Sequence, residues 1–417
     1  MSERIVHLGL GAFFRAHQAY YSFLADPEKE WGIVAYTGRQ KEQAELLSAQ
    51  GCKYTLVTRS AEGDSFELID SVVRAEPGTN LEDLKITVSN PEIAIITMTI
   101  TEAGYQVQPG ALEDSALGRL ALALEARRQA GAGALALVPC DNLPANGEVL
   151  REAMIEIGQQ LGPEFLEYLN DLSFVTTSID RITPKTKPED IGLVQQITGF
   201  DDHAPVITEP FKDWVLEGEF PKGRPAWESA GAKFVSDIEP FENRKLWLLN
   251  GAHSLLAYYG QFLGHKTVDQ AISDLLALSA VNEFWDEAAR HLDEELLSVS
   301  SYREALLERF RNPRIGYQLS QIAQDGLNKL SVRIAPVAIA ELKAGRMPIG
   351  SLRAIACWAW YLESGAEIKD SRLDEISKTL GQGGALATVG KLLPVELFED
   401  PRALNQVAEL LAKFQEK

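Results

Sequence analysis

Between Glu242 and His253 the chain carries a carboxylate, an amine, a carboxamide and an imidazole inside an otherwise apolar run. On an α-helix with Lys245 at zero, Glu242 falls at about 60°, His253 at about 80° and Asn250 at about 140°, so the four share one face. Leu246, Trp247, Leu248, Leu249, Leu255, Leu256, Ala257 and Tyr258 leave no solvent face, which predicts a largely buried helix. Burial disfavours an ammonium ion and lowers its pKa, so Lys245 reads as a general base. The plain alternative is a Glu242/Lys245 pair on a surface helix with a core histidine beside it.

A second centre lies at the start of the chain. Residues 4–8 read as a short buried strand that runs into Gly9-Leu10-Gly11-Ala12-Phe13-Phe14-Arg15, followed by a helical pattern through Tyr20 and Leu24. Strand, glycine turn and helix are the context of a dinucleotide-binding loop, where glycines let the backbone approach a pyrophosphate. Phe14 occupies the place of the third glycine, and an ordinary strand–turn–helix accounts for Gly9 and Gly11 equally well. The second strand, 33–36, ends in Thr37-Gly38-Arg39 where an acid for ribose hydroxyls is expected. An arginine there can meet a 2′-phosphate, which leaves NAD and NADP both open.

The elements that must position these groups alternate. An apolar strand at 93–97 ends in Thr99-Ile100-Thr101-Glu102-Ala103-Gly104-Tyr105, a helix covers 117–128, and a strand at 135–138 opens onto Cys140-Asp141-Asn142. Asn146 suits the N-cap of the next helix, whereas Asn142 has no such structural role. A strand at 174–178 delivers Asp180 and Arg181. Short strands are expected at 54–58, 65–69, 206–210, 214–216 and 234–235, and helices near 267–299, 302–310, 335–345, 350–363 and 402–414. The pattern predicts an α/β fold: a Rossmann-like, doubly wound sheet over 1–232, then a mainly α-helical substrate domain over 233–417.

Composition narrows the function. The 417 residues carry 40 basic and 60 acidic side chains, a net charge of -20 with no basic block, which argues against nucleic acid and anionic membranes as partners. Cys52, Cys140 and Cys357 have no paired spacing, and the six histidines form no ligand pair, so a reducing compartment and no metal are expected. No secretory leader or membrane span is legible, which makes the cytoplasm the expected location. None of the 11 tyrosines is followed four residues later by lysine, so the short-chain dehydrogenase pair is absent.

Six blocks in order resemble the mannitol dehydrogenase family of polyol dehydrogenases and hexuronate reductases. They are Gly9-Leu-Gly-Ala-Phe-Phe-Arg-Ala-His-Gln18, Thr101-Glu-Ala-Gly-Tyr105, Cys140-Asp-Asn-Leu-Pro-Ala-Asn-Gly147, Asp180-Arg-Ile-Thr-Pro184, Glu209-Pro-Phe-Lys-Asp-Trp-Val215 and Lys245-x4-Asn250-x2-His253. The resemblance implies metal-independent hydride transfer between a nicotinamide cofactor, NAD or NADP, and a secondary alcohol. It implies Lys245 as base, Asn142 and Asn250 as donors to the developing alkoxide, and His253 as a substrate-orienting group. Asp180, Lys329, Gln321 and Glu242 become expected substrate residues, and Gly9, Gly11, Phe13, Arg39, Thr101 and Glu102 expected cofactor contacts. The substrate held between the domains would be a small polyol, ketose or hexuronate, with mannitol to fructose the leading expectation and fructuronate reduction the alternative. Gln321, where some mannitol-specific members carry arginine, leans toward the hexuronate side. A monomer or small homo-oligomer is expected. A nucleotide-sensing regulator without catalysis is a more distant alternative, and it has no need of a buried base.

Overall fold

Apolar runs bounded by glycine and polar turns become the strands β1 Glu3–Leu8, β2 Gly32–Tyr36, β3 Tyr54–Arg59, β4 Asp64–Ile69, β5 Val72–Glu76, β6 Ile95–Met98, β7 Ala136–Pro139, β8 Ser173–Phe174, β9 Thr176–Asp180, β10 Val206–Thr208, β11 Asp213–Glu217 and β12 Lys233–Val235. The computed structural model describes residues 1–107 and 110–416, without the side chain of Glu102. They divide into two units, Met1–Ile238 and Glu239–Lys417.

In the first unit six strands form one sheet in the order β5-β2-β1-β6-β7-β8, every neighbouring pair parallel. Ile5, Ile33 and Ile95 enter the core on one face; Val6, Val34 and Ile96 enter the core on the other. Both faces are therefore covered, as the continuous apolar strands require. The connections reverse direction between β1 and β6, which opens a crevice at the carboxyl ends of these strands. Two three-stranded sheets complete the unit, β10-β3-β4 and β12-β11-β9. Since β12 pairs with β11, it goes with this first unit.

The strand expected at 174–178 is two strands: β8 pairs with β7, and after Val175 the chain passes as β9 to pair with β11. Asn146 is not an N-cap. It occupies the first turn of helix Asn146–Gly158, fully buried, and its amide donates to Thr177 O at 2.9 Å while accepting from Thr177 N at 2.9 Å. The helix expected through Leu24 is broken at His17 (φ -120°, ψ -89°), whose Nε2 donates to Asp213 O at 3.0 Å. That tertiary bond outweighs local helix propensity. β5 escaped the sequence reading because Arg74 and Glu76 interrupt its apolar pattern.

The second unit is helical, and its long segment at 267–299 is likewise divided, into Val268–Ser273, Leu275–Ala289 and Glu294–Leu297. Asp274 makes the first break by accepting from Leu276 N, an N-cap bond. Helices Gly326–Arg333 and Leu373–Leu392 were not expected. The latter is kinked at Gly384 (φ 73°), and its glycines mask the helical pattern. Helix Pro401–Gln415, capped by Asp400, packs on Ile349–Glu363. Among the described residues no helix is long and apolar enough to cross a membrane.

Candidate active site

β1 ends at Leu8, and Gly9 turns the chain with φ +106°. A Cβ on Gly9 would lie 2.0 Å from the Thr99 carbonyl oxygen, so only glycine fits. A Cβ on Gly11 would meet nothing closer than Gly9 O at 3.6 Å, and its φ of -127° is open to any residue. The loop is held from beneath. His7 bridges Thr97 Oγ1 (2.8 Å) and Thr99 Oγ1 (3.2 Å), Thr99 Oγ1 donates to Gly9 O (2.8 Å), and the imidazole stacks on Phe14 at 3.5 Å. Burial lowers the His7 pKa to about 3, so the ring is a neutral strut.

A cavity of about 530 Å³ opens at the carboxyl ends of β1, β2 and β6, lined by Gly9, Thr37, Arg39, Gly78, Thr101 and Arg119 among others. Of the expected cofactor contacts it gathers Gly9, Arg39 and Thr101. Gly11 and Phe13 are not in its lining, and Phe13 stacks instead on His17 at 5.1 Å. The side chain of Glu102 lies outside the described residues. The glycine turn and the space at the strand switch fit a dinucleotide. Arg119 was missed in the sequence because it sits inside a helix, Ala116–Gln129, with no motif around it.

The loop after β7 begins with buried Cys140, whose thiol burial pushes up. Asp141 accepts from Tyr105 O–H at 2.6 Å, which ties this loop to the turn after β6. Asn142 is exposed, and Asp180 is 8% exposed at the end of β9, opposite Asp213.

In the second unit, the segment read as one regular helix is α over Glu239–Arg244, π over Lys245–Gly251 and α over Ala252–Phe262. A π turn closes i→i+5 bonds and is wider than an α turn; such turns recur at functional sites. The expectation of a helix without a solvent face is corrected too: Lys245, Leu246, Trp247 and Asn250 are only half-buried. The wide turn persists because side chains serve its carbonyls. Trp285 Nε1 donates to Leu248 O at 2.7 Å, and Ser254 Oγ (3.1 Å) and Arg333 Nη1 (3.4 Å) donate to Asn250 O. His253 is 8% exposed, its ring 4.7 Å from that of Phe310 and 5.6 Å from that of Tyr317.

Helix Gly326–Arg333 packs against the π turn. It carries Lys329, half-buried, whose Nζ donates to Ile322 O at 3.0 Å and whose pKa is lowered by burial and then by Arg333. The structure thus brings Lys245, Asn250, His253 and Lys329 onto packed elements, with Glu242 one turn earlier. Gln321 is exposed on Leu319–Ile322, which packs on Ala252–Phe262. Arg333 was not foreseen, because its role depends on a carbonyl made available by the π turn. Asn142 and Asp180 belong to the first unit.

A doubly wound parallel sheet with a glycine turn after its first strand, followed by a helical domain, is the architecture of a two-domain oxidoreductase. The chain belongs to the mannitol dehydrogenase family: residues 3–229 match the mannitol dehydrogenase Rossmann domain and residues 237–417 its C-terminal domain. The D-mannonate oxidoreductase of Escherichia coli (strain K12) is 32% identical over 457 residues, 100% of this chain and 93% of that protein. Among solved structures, D-sorbitol dehydrogenase in substrate-free form is similar with a TM-score of 0.91 at 27% identity, covering 100% of this chain and 94% of that one. The Pseudomonas fluorescens mannitol 2-dehydrogenase in ternary complex with NAD and D-mannitol gives a TM-score of 0.81 at 27% identity, covering 100% and 92%.

Proposed function

We propose that this oxidoreductase interconverts a polyol and its ketose, mannitol and fructose in the leading case, with a nicotinamide cofactor and Lys245 as general base. The observation that carries the reading is the π turn, which leaves Lys245 and Asn250 half-buried in an otherwise packed helix. The Lys245 amine takes the hydroxyl proton, and amide donors from Asn250 and Asn142 meet the oxygen as negative charge develops on it. His253 orients the substrate, and Asp180 and Glu242 serve further hydroxyls or the proton's exit. The bound nicotinamide supplies the acceptor for the hydride that leaves the carbinol carbon. No metal is needed in this scheme.

A second reading is favoured by one feature. Lys329 and Arg333 are two cations on one helix beside Asn250, and such a pair suits a substrate carboxylate. On that reading the substrate is a hexonate and its 2-keto form is a hexuronate such as fructuronate. Reduction of fructose, fructuronate and related ketoses, assayed with NADH and with NADPH, tests both. Turnover of fructose well above fructuronate supports the polyol reading, the reverse ratio supports the hexuronate reading, and turnover of neither rejects the proposal.

A further inference from the structure

The cavity over β1, β2 and β6 contains two guanidinium groups from separate elements. Arg39 lies in the exposed loop after β2, and Arg119 is only 6% exposed on helix Ala116–Gln129. Their hydrogen bonds go to neighbouring backbone carbonyls, Arg119 Nη1 to Glu113 O at 3.0 Å and Arg39 Nη2 to Asp114 O at 3.5 Å. Among the described residues neither is ion-paired with a carboxylate. The two are close enough that, after burial, the charge on Arg39 is the main influence holding the Arg119 guanidinium below its usual range.

Two like charges gathered at a partly buried wall repel one another and give up hydration, and backbone carbonyls compensate only in part. The arrangement is more notable in a chain of net charge -20, where carboxylates are plentiful. The loop after the second strand is where a dinucleotide fold meets the adenosine ribose, and here it is Thr37-Gly38-Arg39, without an acid. Thr37 O is covered by Gly78, where a Cβ would come within 1.8 Å, so backbone packs closely at this corner beside the two arginines. Among the described residues of the lining Asp114 is the acid; it is exposed and acts on Arg119 less than Arg39 does.

We propose that Arg39 and Arg119 form the pocket for the 2′-phosphate of the dinucleotide, which makes NADP(H) the preferred cofactor. The inference rests on the reading that the first unit binds a nicotinamide dinucleotide. Guanidinium forks from two directions match the oxygens of a phosphate dianion, which in turn removes the repulsion between them.

Calorimetric titration of the full chain with 2′,5′-ADP and with 5′-AMP tests the pocket without any turnover. Binding of 2′,5′-ADP is expected to be tighter than that of 5′-AMP by on the order of 10-fold or more, from charge-assisted hydrogen bonds to the phosphate. Arg39→Ala, on an exposed side chain, is expected to erase most of that ratio and leave 5′-AMP affinity unchanged. Arg119→Lys, checked for folding by circular dichroism, is expected to do the same through loss of the fork. Equal affinity of the parent protein for the two nucleotides would overturn the proposal. So would tighter 5′-AMP binding that Asp114→Asn abolishes, because it would assign the corner to ribose hydroxyls held by Asp114. Binding of neither nucleotide would reject the dinucleotide reading along with it.

Discussion

Lys245 opens the π turn with its side chain half-buried, and on the proposed mechanism its amine is the group that takes the hydroxyl proton. A positioned general base contributes ~100 to ~10,000-fold. Lys245→Ala is therefore expected to lose turnover on that scale while nucleotide titration is unchanged; near-normal turnover would reject the base assignment. The two loop glycines differ in what the backbone demands of them. Gly9→Ala places a methyl 2.0 Å from Thr99 O in a left-handed conformation, and a lower melting temperature is expected even without ligand. Gly11→Ala meets no such obstacle, its Cβ 3.6 Å from Gly9 O and outside the cavity lining, and is expected to melt and to bind nucleotide like the parent protein. If both variants melt alike, the distinction fails. At this scale the sequence announced residues whose chemistry is unusual in their surroundings, such as Lys245 within leucines. It did not announce Arg119 or Arg333, because an arginine on a helix looks the same in sequence whether it faces water, a cavity or a carbonyl.

Periodicity was a good guide to strands and a poorer one to how helices begin, widen and stop. The parallel strands were legible because burial on both faces leaves continuous apolar runs. The π turn was not, since a wheel drawn at a constant angle has no place for an i→i+5 bond, and what favours that bond is a set of partners distant in sequence, Trp285 and Arg333. Helix Leu373–Leu392 was hidden by Gly381, Gly383 and Gly384. The wide turn itself can be tested through Arg333. Arg333→Met keeps most of the apolar stem but removes the donor to Asn250 O, and loss of a charged hydrogen bond is expected to lower kcat by on the order of 10-fold. Nucleotide affinity should stay as it was. Unchanged kcat would mean that Ser254 and the helix alone hold Asn250.

At the level of the whole molecule, two buried imidazoles set the response to acid. Burial lowers the pKa of His7 and of His17 from 6.5 to about 3. Between those values the unfolded chain binds more protons than the folded one, so stability rises with pH across the window. It is fully present above about 6.5 and is lost as the pH falls toward about 3. Glu287 works the other way: buried, though it accepts from Gly350 N, Ser351 N and Ser351 Oγ, its carboxyl is pushed up to about 7, and its contribution falls as pH rises from 4.5. Two histidines with the larger shifts outweigh one glutamate, so the melting temperature is expected to drop between about pH 7 and about pH 5, and His7→Gln is expected to shallow that drop. A melting temperature that does not move over this range would contradict the assignment.

The passage from β8 to β9 across Val175 also makes the strand a hinge pin shared by two sheets. There is no loop between them to absorb motion, and Asn146 clamps Thr177 from the side. The large sheet cannot peel open at this edge without dragging β9 from β11, so their opening events are one event. In hydrogen exchange with increasing denaturant, the slow amides of β7 and β11 should converge on a single isotherm. Two isotherms that stay apart would show that the pin slips.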